Sequence, residues 1–208
     1  MSVIQFIDNA PNMGDSNPEK LYYYNRSNIN RFKAYGFFNQ THPLSNFNLQ
    51  KFKFTTPNIL NIESRTIEVC CGEQAIMYMK ALIFKDKEAQ KKILESKNPR
   101  EIKFFGRKVL NFDDVIWKSF VCRIAYEVTL QKAKQIPEVL ELLQRSENHI
   151  IYEGAKNDFI WGTGFYVNHP NNFCPYNWLG SNILGWAWMQ TRKTILVSDA
   201  ETQPEPEL

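Results

Sequence analysis

Apolar residues recur with helical spacing through the middle of the chain. Ile76, Met79 and Ile83 follow one another at intervals of three and four positions, so they share one face of a predicted helix. Residues that commonly cap helix starts predict further helices. Asn98 is followed by Pro99, and either Asp113 or Asp114 can cap the next helix. The pattern predicts helices at residues 73–84, 86–95, 99–107, 114–134, 137–144 and 182–195.

Strands are predicted where β-branched and aromatic residues form short runs. Such runs occupy residues 35–38, 51–54 and 149–155. Residues 157–165 contain two glycines within three positions, which is typical of a loop. Together these elements predict an α+β fold, namely a mostly helical single domain with a small β-sheet.

The two ends of the chain differ in composition from the part between them. Residues 1–30 are rich in Asn, Ser, Tyr and Pro without helical periodicity, which predicts an irregular N-terminal arm. Residues 198–208 combine acids with two prolines, which predicts a disordered acidic tail. The domain is therefore expected to span residues 31–197.

Composition narrows the classes of function. The 208 residues are 43% hydrophobic, enough for a core without staples, and carry a net charge of only +3. Such a balance disfavours wrapping of nucleic acid but allows a local basic pocket. The four cysteines form neither a C-x-x-C pair nor a Cys/His cluster, so neither a metal site nor a cofactor is predicted. With no signal segment and no run of eighteen apolar residues, a cytoplasmic protein without membrane contact is expected.

Glu73 and Lys80 are the first candidates for chemistry. They stand seven positions apart in a predicted helix, so they lie within about 20° of the same angular position, two turns apart. A carboxylate and an amine on an apolar helix are costly to bury without compensation. The plainer alternative is a lysine that reaches out to solvent and a glutamate that favours the helix start.

A second concentration follows the last predicted strand and comprises Glu153, Asp158, Trp161, Gly162 and Gly164. Glycine lets a backbone approach a ligand closely, and an indole can stack on a base. The alternative is a tight loop with a tryptophan in the core.

Two features could bind phosphate. The segment from Gly180 through Asn182 to Gly185 stands at a helix start, where free N–H groups attract anions. Arg107 and Arg192 could each hold phosphate in bidentate fashion, although single arginines are commonly surface ion pairs.

Taken in order, several short blocks carry a resemblance that covers residues 35–196. The blocks are Leu44-Ser45-Asn46-Phe47, Glu73-Gln74 with Lys80, Gly106-Arg107, Trp117, Glu153, Asp158-x-x-Trp161-Gly162-x-Gly164, and Gly180-x-Asn182-x-Leu184-Gly185-x-x-x-Met189-x-x-Arg192. In this order they resemble the NADAR/YbiA-like family. The chain departs from the family pattern at Gln74, where many members have His, at Met77, where Gln is common, and at residues 155–157.

The resemblance implies a YbiA-like fold and an N-glycosidase. Family members release a base from C1 of a phosphorylated ribose, either in ribosylamino-pyrimidine phosphates of riboflavin synthesis or in ADP-ribosyl-guanine of nucleic acid. The expected partners are thus a phosphorylated riboside or a substrate bearing ADP-ribose, with ADP-ribosylated DNA or RNA among the candidates. Rival hypotheses are a non-catalytic NAD or ADP-ribose binding module and a structural or nucleic-acid partner protein.

The resemblance also distributes roles. Glu73 and Asp158 are the candidates for protonating the leaving nitrogen and for stabilising positive charge at C1. Lys80 is the candidate nucleophile, through a Schiff base with the opened sugar. That role needs a neutral amine, which Glu73 opposes. The residues expected to bind substrate are Asn46, Gly106, Arg107, Glu153, Trp161, Gly162, Gly164 and Asn182.

Overall fold

A computed structural model of the chain describes residues 34–60, 62–146 and 149–201, with side chains up to residue 196. The predicted N-terminal arm and the tail beyond residue 201 lie outside these residues. Within them, helices predominate. The helices are α1 (Gly72–Ile83), α2 (Lys87–Glu95), α3 (Pro99–Arg107), α4 (Asp114–Gln135), α5 (Pro137–Arg145) and α6 (Ile183–Glu201).

Polar side chains at the helix starts explain where several helices begin. Asp86, Asn98 and Asp113 each accept a hydrogen bond from a backbone N–H in the first turn of α2, α3 and α4, respectively. Proline opens α3 and α5, where its missing N–H costs nothing. The six helices predicted from sequence are therefore confirmed, with ends that agree to within one residue except at the end of the last helix.

The last helix is longer than predicted. Its apolar pattern ends at Ile195, but α6 continues to Glu201. Residues 196–201 contain neither glycine nor proline, so nothing in them ends a helix. The first residues of the predicted disordered tail are thus helical.

In the described part of the chain, the small β-structure consists of two separate pairs of strands. Strand β1 (Ala34–Phe37) runs parallel to β4 (Ile150–Glu153), and β2 (Phe52–Thr55) runs antiparallel to β3 (Thr66–Val69). The predicted α+β fold is confirmed. Strand β3 was not predicted, although its residues Thr66–Val69 alternate between polar and apolar side chains as in a half-buried strand. Two short 3₁₀ helices, Pro170–Phe173 and Pro175–Asn177, precede α6.

Helix α1 lies at the centre of the main hydrophobic core. Every residue of it except Lys80 is buried, and it packs against α2, α3 and α4. Helix α6 in turn packs against α4 and β4. In the part of the chain that the structure describes, no helix combines the length and the apolar character needed to cross a membrane. Because α1 is surrounded by other elements, a charged residue on it must face a neighbouring helix or an opening between helices.

Candidate active site

A cavity of about 400 Å³ opens between α1, α3, the start of α4 and the loop after β4. Its walls are formed by Glu73, Met77, Lys80, Lys103, Arg107, Trp117, Asn157, Asp158, Phe159, Ile160 and Trp161. Five of the predicted site residues, Glu73, Lys80, Arg107, Asp158 and Trp161, thus line one cavity.

Helical spacing places the charged side chains on facing walls. Glu73, Met77 and Lys80 follow at intervals of four and three along α1, while Lys103 and Arg107 stand four apart on α3. Gly106 lets these helices approach, since a Cβ at this position would lie 2.0 Å from the Met77 sulfur. Gly106 thus has a packing role, and its part in substrate binding stays a prediction.

Glu73 is the most enclosed acid of the cavity, with 5% of its surface exposed. Its backbone N–H donates to the Asn46 carbonyl at 2.8 Å, while its Oε1 is buried without a hydrogen-bond partner in the described chain. Burial raises the pKa of Glu73 to about 7, with Lys103 and Arg107 opposing the rise and Asp158 adding to it. A carboxyl in this state exchanges its proton near neutral pH.

Lys80 carries an amine whose pKa is lowered. Burial is the main cause, and the Arg107 guanidinium adds to it, while Asp114 and Glu73 oppose it. The opposition expected from Glu73 therefore exists but is outweighed. Among the described residues no salt bridge joins Lys80 to a carboxylate.

Asp158 and Trp161 belong to the loop that closes the cavity. The Asp158 Oδ1 accepts hydrogen bonds from the N–H groups of Ile160 at 3.2 Å and Trp161 at 2.9 Å, which fixes the turn. Trp161 is half-buried and packs against the two larger hydrophobic clusters while it also lines the cavity. The two sequence interpretations of Trp161, cavity wall and core, both hold.

The start of α6 is occupied by this same loop. The N–H groups of residues 180–184 donate to carbonyls of residues 159–163 at 2.9–3.2 Å. A Cβ at Gly180 would lie 2.2 Å from the Gly162 carbonyl, so this contact requires glycine. The expected phosphate site at Gly180–Gly185 is therefore wrong, because its donors are already used. Arg192 is likewise engaged, donating to the Ser146 carbonyl and hydroxyl.

Asn182 supports the site from behind. Its Oδ1 accepts from the N–H of Glu153 at 3.0 Å, and its Nδ2 donates to the Ile151 carbonyl at 3.0 Å. With hydrogen bonds at both amide atoms and 1% of the residue exposed, Asn182 joins β4 to α6, and its contact with substrate stays a prediction.

The other predicted binding residues are not among those that line the cavity, and their contacts with substrate stay predictions. Glu153 has an enclosed Oε2 without a partner among the described residues, and burial raises its pKa to about 8, with Asp158 adding to the rise. The Asn46 carbonyl accepts a hydrogen bond from the Glu73 N–H. Gly162 and Gly164 shape the loop, the latter at a φ of +80° that favours glycine.

Sequence reasoning missed several cavity residues. Lys103 and Met77 could have been found, because each stands four positions from a predicted residue, Arg107 and Glu73, on the same helix face. Asn157, Phe159 and Ile160 show no such periodic spacing, and they reach the cavity through the path of the loop. Within the described residues no group of three or more His, Cys, Asp or Glu side chains could hold a metal ion.

Known proteins resemble this chain in sequence and in structure. The NADAR domain profile matches residues 22–196. N-glycosidase R617 of Acanthamoeba polyphaga mimivirus is 35% identical over 126 residues, covering 61% of this chain and 74% of that protein. Protein irg-1 of Caenorhabditis elegans is 29% identical over 135 residues, 64% of either chain. The NMR structure of E. coli YbiA superposes with a TM-score of 0.63 at 18% identity, covering 84% of this chain and 92% of that chain, which indicates the same fold.

Proposed function

The chain belongs to the NADAR domain family, and on that premise we propose that it hydrolyses the N-glycosidic bond between a base and C1 of a phosphorylated ribose or ADP-ribose. The N-glycosidase name of the mimivirus relative supports the reaction class. The observation that carries the proposal is the pairing of an enclosed acid, Glu73, with an amine of lowered pKa, Lys80, in one cavity. A binding module would gain nothing from an acid that exchanges its proton near neutral pH beside an amine of lowered pKa.

Glu73 supplies the proton that the leaving base needs. The C1–N bond breaks with its electron pair going to the base nitrogen, which takes the Glu73 proton. A water oxygen then bonds to C1 and returns a proton to the Glu73 carboxylate, which restores the acid. The positive charge that develops at C1 is stabilised by the carboxylate of Asp158, which lines the same cavity.

Lys80 offers a covalent variant of the same reaction. Its neutral amine bonds to C1 as the C1–N bond breaks, and the departing base takes the Glu73 proton. The bond from C1 to the ring oxygen then breaks, the oxygen takes a proton from the bound amine, and a Schiff base forms. Water hydrolyses the C=N bond and frees the amine. Burial and Arg107 support this variant because both lower the pKa of Lys80.

The remaining walls suit a phosphorylated nucleoside. Lys103 and Arg107 form a cationic pair on α3 that is placed to receive phosphate. Trp161 presents an indole to the cavity for stacking on the base. Both a ribosylamino-pyrimidine phosphate and ADP-ribosyl-guanine in DNA or RNA meet these requirements, and the cytoplasm is the proposed place of action.

The experiment incubates the protein with guanine-ADP-ribosylated DNA and, in parallel, with the ribosylamino-pyrimidine phosphate, and follows the products by mass. Release of free base from one of the two substrates is expected. The matched control is the Glu73→Gln variant, which should not release the base. Tight binding of both substrates without base release would instead identify a binding module.

A second measurement tests Lys80. Lys80→Ala is expected to lower base release at least about a hundredfold, the usual effect of losing a positioned catalytic group, with the fold intact. Borohydride added during turnover should leave a mass adduct on Lys80. If activity survives within a fewfold, Lys80 has no part in the reaction, and if the adduct alone is missing, its role is electrostatic.

A further inference from the structure

The amine of Lys80 lies in an aromatic corner. Its Nζ is 3.9 Å from the ring centroid of Phe112 and 5.6 Å from that of Trp117. The negative face of an aromatic ring attracts a cation within about 6 Å of its centroid. Trp117 is buried in the core, whereas Phe112 lies between α3 and α4 with 43% of its surface exposed. The shorter contact is thus made by the residue that contributes less to the core.

Phe112 is held in place from one side. Its ring meets that of Phe84, the residue after α1, edge-on with centroids 5.2 Å apart. This contact anchors the ring to the end of the helix that carries Lys80. The ring that covers the amine therefore packs against the same helix end.

Charged groups from several elements surround Lys80, and among the described residues none of the carboxylates forms a salt bridge with it. Glu73 faces it from α1, Lys103 and Arg107 from α3, and Asp158 from the loop across the cavity. The carboxylate of Asp114 on α4 is paired with Lys118 at 2.6 Å. Among the described residues the closest recorded contact of the ammonium is the Phe112 ring.

We propose that Phe112 is a positioning residue that holds the amine of Lys80 at the cavity wall, an inference that rests on the proposed role of Lys80 in the reaction. The ring acts in two opposite ways. Its face stabilises the ammonium by attraction, while its bulk excludes water and so destabilises the same charge. These two effects can be separated by substitution.

Phe112→Leu keeps an apolar cover but removes the aromatic face. We expect the pKa of Lys80 to fall by about half a pH unit, the size expected for one partly exposed cation–π contact. Phe112→Ala removes both, so water reaches the amine and the pKa should rise towards that of an ordinary lysine. Phe112→Tyr retains face and cover and should leave the pKa unchanged.

The pKa is read from the Lys80 Cε chemical shift in lysine-labelled protein across a pH series, with the signal assigned by its loss in Lys80→Arg. The matched control is Phe104→Leu, because Phe104 is similarly exposed and lies 4.1 Å from the Lys108 Nζ, outside the cavity. This control should leave the Lys80 pKa unchanged.

The pKa of Lys80 is expected to fall in Phe112→Leu and to rise in Phe112→Ala. In Phe112→Tyr it should equal that of the wild type. An unchanged Lys80 pKa in both Leu and Ala variants overturns the inference, as does an equal shift in Phe104→Leu. Because this readout needs no substrate, it stands apart from the base-release assay, whose failure would instead remove the proposed function. In that assay, the acidic limb of the pH profile of kcat should move to lower pH in Phe112→Leu, because the pKa of Lys80 is lowered there. Phe112→Tyr should retain wild-type turnover.

Discussion

Lys103 and Arg107, two cations on one face of α3, hold the pKa of Glu73 near 7. Burial alone would push the pKa of Glu73 above the value of about 7 that it has, and Lys103 is the largest opposing influence. If Glu73 is the general acid, kcat/KM must fall as the pH rises through its pKa, because the proton it donates is lost.

The first prediction concerns this alkaline limb. Lys103→Met removes the charge that favours the carboxylate, so the pKa of Glu73 rises and the limb near pH 7 should move to higher pH. The pH profile of kcat/KM measures this shift directly. Lys108→Met, at the end of α3 and outside the cavity wall, is the control and should keep the limb in place. A limb that stays put in Lys103→Met would contradict the assignment of the acid.

The second prediction concerns stability. Burial raises the pKa of Glu73 from 4.5 to about 7, so the folded state retains a proton that the unfolded chain loses between these values. The free energy of unfolding therefore decreases as the pH rises through this window, by up to about 3 kcal/mol. Glu73→Gln should be more stable than the wild type at pH 8 and similar near pH 4, as measured by denaturant unfolding. Equal stability of the two proteins at pH 8 would show that the carboxyl carries no such cost.

At the level of elements, the loop of residues 157–164 forms one wall of the cavity because the start of α6 holds it. Five consecutive N–H groups at that helix start bind loop carbonyls, and Asn182 joins the same point to β4. The glycines at 162 and 180 allow this close packing. Residues predicted to touch substrate thus position others that do line the cavity.

The third prediction concerns Trp161 in this loop. Trp161→Phe should keep most activity, whereas Trp161→Ala should lose roughly 1–3 kcal/mol of substrate binding, the usual contribution of one base stack. Because the indole also packs on two core clusters, Trp161→Ala should lower the thermal midpoint as well. The loss of unfolding free energy should be smaller than the roughly 3–5 kcal/mol expected for a fully buried tryptophan. Trp178→Phe, in a separate cluster, is the control that should change stability alone. Normal affinity in folded Trp161→Ala would remove the indole from the binding site.

Over the whole molecule, the described residues offer carboxylates and amines to the cavity and no cluster of metal ligands. The fourth prediction follows from this chemistry. Base release should continue in excess EDTA at the rate found without it, because proton transfer and the Lys80 amine need no ion. Loss of activity on chelation that a divalent ion restores would indicate a metal-dependent reaction.

The sequence alone determined the helices and one face of the site. Periodicity and caps are local, so the six helices and the shared face of Glu73 and Lys80 followed from residue order. The YbiA-like fold followed from the family resemblance of the ordered motifs. Lys103 was within reach of the same reasoning through its spacing from Arg107.

Only the tertiary structure decided what faces the cavity from elsewhere. The loop wall, the aromatic cover of Lys80 and the engaged amide of Asn182 depend on contacts between residues distant in sequence, which no local pattern encodes. The pKa of Glu73 belongs to the same class, because desolvation and neighbouring charges exist only after α1, α3 and the loop have packed together.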